Sequence, residues 1–118
     1  MRKPTNSPAR LSVVTTTTDG IRVLCLTGEI DHDTGEILRH ALDAADTARP
    51  RTVVDLSRLT FMDSTGINIL IAAHRTHTQA NGWLRLAAPT GSVRRTMEIV
   101  GVDDVIDCRE TLHQALRI

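Results

Sequence analysis

The sequence predicts an α/β domain: a mixed β-sheet opened by a hairpin, with helices between its later strands. Three observations carry this. Asp19-Gly20 is a turn pair between two strand-like runs, the signature of a tight hairpin. After it, short apolar runs alternate with segments of helical periodicity, which favours parallel strand pairs. The core must also be aliphatic, because Phe61 and Trp83 are the only aromatic residues among 118.

Residues 1–10 hold two prolines and three basic side chains with no apolar run behind them. They are expected to be a disordered tail and not a signal peptide. Leu11 to Thr17 reads as the first strand and Ile21 to Thr27 as its return, with Ile21, Val23 and Cys25 on one face. Residues 28–34 form a loop into a helix that Asp33 or Thr34 caps. That helix runs to about Thr47, with Ile37, Leu38, Ala41, Leu42 and Ala45 as its apolar stripe, and Pro50 stops it.

Thr52 to Leu56 is a buried strand, and the run Phe61-Met62-Asp63-Ser64-Thr65-Gly66 leads from it into a second helix. Asn81-Gly82 ends that helix. Its inner stripe is Ile67, Leu70, Ile71 and His74, widened by Ile69 and Ala73. The opposite stripe is Asn68, Ala72, Arg75 and Gln79, with Ser64 at its head. Trp83 to Ala88 is a strand closed by Pro89. A third helix, Val93 to about Val100, turns Val93, Met97 and Val100 inward and places Gly101 at its C-terminal cap. Val105 to Cys108 is the last strand, and Thr111 caps a short helix from Leu112 to Leu116.

The turn into the second helix holds the candidate chemistry. Either Ser64 is the helix cap or Asp63 caps and leaves the Ser64 hydroxyl free. The second assignment places Met62 before the cap and Ile67 at the fourth helical position, the spacing of a hydrophobic staple. A free hydroxyl beside unpaired helix amides is a natural acceptor for phosphate, whose charge the helix start stabilises, although Asp63 crowds it.

Composition excludes several functions. Fourteen basic and fourteen acidic residues give zero formal charge, so there is no electrostatic footprint for nucleic acid. No apolar run approaches the roughly 18 residues of a membrane span. Cys25 and Cys108 form no metal-type pair and fit a reduced, cytoplasmic setting. Asp31-His32-Asp33 and the pair His74 and His77 lack the further ligands a metal site needs. A serine nucleophile is disfavoured because Met62 stands where a Gly-x-Ser-x-Gly elbow needs glycine. No cofactor and no catalysis are expected.

The run Val54-Asp55-Leu56-Ser57, then Phe61-Met62-Asp63-Ser64-Thr65-Gly66, then Leu70, resembles the signature of the STAS domain, and more narrowly the bacterial anti-sigma factor antagonists. Gly28, Glu29, Asp31 and Thr34 match that family's first loop, and Val93, Arg94, Met97 and Gly101-Val102 its third helix. Ile106 stands where many members carry an aromatic. The resemblance spans Leu11 to Leu116. It implies a STAS-like mixed sheet with an N-terminal β-hairpin and about four helices largely on one face, forming one domain over residues 11–118.

The resemblance also implies a role. The unphosphorylated protein binds an anti-sigma factor that is itself a serine kinase, and so releases a sigma factor. Phosphorylation of Ser64 switches binding off, and a serine phosphatase restores it. Thr65 is a possible second acceptor. Asp31 and Asp63 are the acidic surroundings of Ser64, with Asp31 either steadying a kinase-bound magnesium or setting local charge. Thr34, Thr65, Gly66, Asn68, Ala72 and Arg75 complete the expected docking region. The protein would act as a monomer, away from membranes and nucleic acid. The alternative is a non-switching STAS scaffold or a small-ligand-binding module.

Overall fold

The computed structural model describes residues 10–43 and 48–117. The expected tail therefore lies outside them except for Arg10, and so does Ala45 of the first helix. The elements are β1 (Leu11–Thr18), β2 (Ile21–Ile30), α1 (Gly35–Leu42), β3 (Arg51–Met62), α2 (Ser64–Gln79), β4 (Trp83–Ala87), α3 (Gly91–Val100), β5 (Asp107–Arg109) and α4 (Leu112–Ala115), with a 3₁₀ turn at Val102–Asp104. The five strands lie in the order β1-β2-β3-β4-β5. β1 and β2 are antiparallel around Asp19-Gly20, and every other neighbouring pair is parallel.

Alternation along the strands builds two unequal layers. Leu24 and Leu26 of β2, Val54 and Leu56 of β3, and Leu84 and Leu86 of β4 are buried with Leu38 and Leu42 of α1, Ile67 and Leu70 of α2, and Val93 and Met97 of α3. Their neighbours Ile21, Val53 and Ala87 face the other way and pack on Ala115 of α4. Three helices thus share one face, and the short α4 covers part of the other. Burying each large aliphatic side chain in the main layer contributes about 1.5–3 kcal/mol.

Several boundaries differ from expectation. β2 does not enter a loop at Gly28 but continues to Ile30, and β3 runs on to Met62. Each supplies the other's partner, with Glu29 beside Phe61 and Ile30 beside Met62 after two register shifts. Gly28 sits at φ 112°, where a Cβ would lie 1.9 Å from the Arg10 carbonyl oxygen, so the start of β1 can cross there only over glycine. α1 ends at Leu42, with Asp43 in extended conformation after it.

The helical stripes are narrower than their periodicity suggests. Ile37 and Val100 are exposed, because α1 and α3 each lay only part of their apolar arc on the sheet. The last strand begins at Asp107, not Val105. The 3₁₀ turn bends the chain so that Ile106 plugs the core and Val105 faces solvent. Gly101 closes α3 in left-handed conformation as expected. Thr111 and Gln114 form a reciprocal capping box on α4.

Candidate functional site

Asp63 is the cap of α2, and Ser64 is its first helical residue. The Asp63 carboxylate accepts the Thr65 amide at 2.9 Å, and its carbonyl accepts the Ile67 amide at 3.3 Å. The Ser64 hydroxyl makes no hydrogen bond to the described residues and faces solvent. Met62 and Ile67 are both buried in the main core, as a staple requires. Packing agrees with the Asp63 assignment, since both apolar flanks of that cap lie in the core.

β2 and α1 position the rest. The Asp63 amide donates to the Ile30 carbonyl at 3.2 Å, which ties the head of α2 to the end of β2. A Cβ on the buried Gly66 would stand 2.6 Å from Met62 Cγ and 2.9 Å from Ile30 Cγ2. Glycine therefore lets the first turn of α2 settle onto both strand ends. A Cβ on Gly35 would meet the Thr65 methyl at 3.0 Å, so the starts of α1 and α2 also touch closely. From the far side, Ser92 Oγ donates to the Thr60 carbonyl at 3.1 Å, and Thr60 Oγ1 donates to the Gly28 carbonyl at 3.0 Å.

Asp31 follows Ile30 directly, and both its oxygens are engaged. Oδ1 accepts the Asp33 amide at 2.9 Å and the Thr34 amide at 3.1 Å. Oδ2 accepts Arg10 Nη1 at 2.6 Å, and Arg10 Nη2 reaches Asp33 Oδ2 at 3.0 Å. Partial burial pushes the Asp31 carboxyl up. The Thr34 and Asp33 amides, the Arg10 guanidinium and the Thr34 hydroxyl outweigh it and hold the group below the usual carboxylate range.

Thr34 precedes α1, but its hydroxyl does not cap the helix. It accepts the Asp31 amide at 2.9 Å and donates to the Glu29 carbonyl at 3.0 Å, which closes the β2–α1 turn on itself. Thr34 is the N-cap residue of α1 by position, as one of the two expected candidates, and Asp33 lies outside the cap.

The expected site residues fall into three groups. Ser64, Asn68, Ala72 and Arg75 are exposed along one side of α2. Asp31, Asp63 and Thr65 are partly buried around the head of that helix. Thr34 and Gly66 are buried, so they shape the site from beneath and offer no surface to a partner. Thr65, Asn68 and Ala72 also line a groove of about 670 Å³ between α1 and α2, with Arg39, His40 and Thr76. Two contributors were not evident from the sequence. Arg10 was assigned to the tail, and its partner Asp31 lies 21 residues away. Arg39 and His40 enter the groove only because α1 lies beside α2. Among the described residues no group of three His, Cys, Asp or Glu side chains could hold a metal. No described helix is long and apolar enough to cross a membrane.

A model of the STAS domain matches residues 12–115. The chain belongs to the STAS domain family. This STAS domain is 33% identical over 113 residues to the anti-sigma-F factor antagonist RsfB of Mycobacterium tuberculosis, a match spanning 94% of this chain and 91% of that one. Its structure matches that of an anti-sigma factor antagonist from Mycobacterium paratuberculosis with a TM-score of 0.81 at 29% identity, over 93% of this chain and 94% of the other. The Bacillus protein SpoIIAA in its phosphorylated form shares the fold, with a TM-score of 0.66 at 23% identity over 89% and 96% of the two chains. The five-stranded mixed sheet with three helices on one face and one on the other is accordingly the STAS fold.

Proposed function

We propose that this STAS domain is an anti-sigma factor antagonist controlled at Ser64. Unphosphorylated, it binds an anti-sigma factor that is also a serine kinase and so releases a sigma factor; phosphorylation of Ser64 ends that binding. A serine phosphatase returns it to the binding state. The protein itself catalyses nothing in this cycle. The names of its relatives support the antagonist role. One observation supports the switch: Asp63 takes over the capping of α2, so the Ser64 hydroxyl is exposed and unused.

The physical logic is local. A partner packed over the head of α2 covers the Ser64 hydroxyl at little cost. Phosphate adds roughly 1.5–2 negative charges at that point. Covering an ion costs several kcal/mol unless the partner supplies matched donors. Neither the core nor the cap needs to move, because the hydroxyl supports neither.

Intact-mass measurement with ATP and candidate anti-sigma kinases tests the acceptor: one phosphate is expected on the native chain and none on Ser64→Ala. Phosphate retained in Ser64→Ala, and lost in Thr65→Ala, would move the assignment to Thr65. For a confirmed partner, Ser64→Asp is expected to weaken binding at least tenfold and Ser64→Ala to preserve it. Equal affinities would sink the charge switch.

The groove between α1 and α2 supports the second reading, a small-ligand module. A metabolite that raises the melting temperature of the native chain, but not of an Ala72→Trp variant, would favour it.

A further inference from the structure

β1 is an edge strand of eight residues, LSVVTTTT, with no charge, proline or glycine. The opposite edge is protected: β5 has three residues, two of them charged. Sheet edges are ordinarily blunted by shortness, charge, proline or bulges, and an edge without these pairs with another strand. The β1–β2 register is unbroken from Leu11 to Thr18, so no bulge twists this edge away. Among the described residues nothing hydrogen-bonds its outer side. Val14 is 57% exposed, on the face whose small cluster around Ile21, Val53, Ala87 and Ala115 does not include it.

In place of the monomer expected from the sequence, we infer that β1 pairs with β1 of a second copy, antiparallel about a two-fold axis at Val14, to join two sheets into one of ten strands. The hairpin dictates the register. A two-residue turn is flanked by a hydrogen-bonded pair, here Thr18 and Ile21. Alternation then turns the backbone groups of Ser12, Val14, Thr16 and Thr18 toward β2, and those of Leu11, Val13, Thr15 and Thr17 outward. Odd residues must therefore bond odd residues across the new interface. The register centred on Val14 satisfies this, placing Val13 opposite the second copy's Thr15 and Leu11 opposite its Thr17.

Two features favour a second copy of this chain over an unlike strand. An isologous contact sets identical residues side by side, and β1 carries no charge to repel itself. Antiparallel pairing also brings Arg10, already paired with Asp31 and Asp33 of its own chain, to the end where the second copy's Asp19 follows its own β1. A parallel arrangement would set like charges together. Val14 meets Val14 in the close, non-hydrogen-bonded position, which covers the exposed side chain. The head of α2 is not part of this contact, so Ser64 stays accessible in the dimer.

Edge pairing alone buries little surface, so association is weak and concentration-dependent. Sedimentation equilibrium of the full chain, from micromolar to millimolar concentration, is expected to show a monomer–dimer equilibrium that Val14→Lys shifts to monomer. Crosslinking tests the register in a Cys25→Ser, Cys108→Ser background, which removes the native thiol opposite Val14. Val14→Cys should oxidise to a disulfide dimer, since the facing Cα atoms lie about 4.5 Å apart; Thr18→Cys should not. A monomer at every concentration overturns the inference. So does a dimer indifferent to Val14→Lys, or equal crosslinking at both positions. The Ser64 binding assays depend on none of these outcomes.

Discussion

The assignment of Asp63 as the cap, with Ser64 left free, has a quantitative consequence. Asp63→Ala removes the acceptor held 2.9 Å from the Thr65 amide, and Thr65 is partly buried, so water replaces that bond poorly. Loss of an N-cap costs about 1 kcal/mol. Loss of the negative charge at the start of a 16-residue helix adds roughly 0.3–1 kcal/mol. The variant should therefore lose about 1.3–2 kcal/mol, which for a domain of this size lowers the melting temperature by roughly 5–8 °C. Asp63→Asn keeps an acceptor oxygen and should lose only the charge contribution. Ser64→Ala should stay within about 0.5 kcal/mol of the native chain, as a surface position without partners does. Urea denaturation followed by circular dichroism measures all three. If Ser64→Ala falls as far as Asp63→Ala, the serine is the cap and its hydroxyl is not free. A neutral Asp63→Ala would equally break the reasoning.

Two further outcomes test the support around the site. Gly66→Ala pushes a methyl against Met62 and Ile30, both buried, and should destabilise by about 1–3 kcal/mol, seen as an earlier urea midpoint; an unchanged midpoint would show that the head of α2 is not tightly seated. His77 is buried between the Thr52 hydroxyl and the Ala73 carbonyl, each at 2.8 Å. Burial pushes its pKa down; the Ala73 carbonyl opposes this, while Arg22 and His74 reinforce it. The unfolded chain then binds the proton more readily, with a pKa of about 6.5, so stability should fall as pH drops below that value. Melting curves between pH 7.5 and 5 should show this loss, and His77→Gln should flatten it; equal slopes would remove His77 as the cause.

What was legible in the sequence was local. Asp19-Gly20 specifies its hairpin through backbone conformations few other residue pairs adopt. The staple spacing of Met62 and Ile67 favoured Asp63 over Ser64 as the cap of α2, because cap and staple lie within six residues. Thr111 and Gly101 marked helix ends for the same reason, since a cap acts within one turn of its helix; the reciprocal Gln114 contact emerged only in the structure. The stripe Ser64, Asn68, Ala72 and Arg75 followed from helical period alone.

Only the tertiary structure decided what depends on partners distant along the chain. β2 and β3 lengthen past their apolar runs because each offers the other unpaired backbone groups, an effect no single segment contains. Ile37 and Val100 satisfy helical periodicity yet face solvent, since the tilt of each helix on the sheet selects which part of its apolar arc is covered. Asp31, expected as an acidic neighbour of Ser64 that steadies a kinase-bound magnesium or sets local charge, is held by Arg10 and by the turn it initiates. Thr34 has its hydroxyl turned back into that same turn. Periodicity and capping are short-range and so can be read along the chain; ion pairing and depth of burial depend on which surfaces the fold brings together.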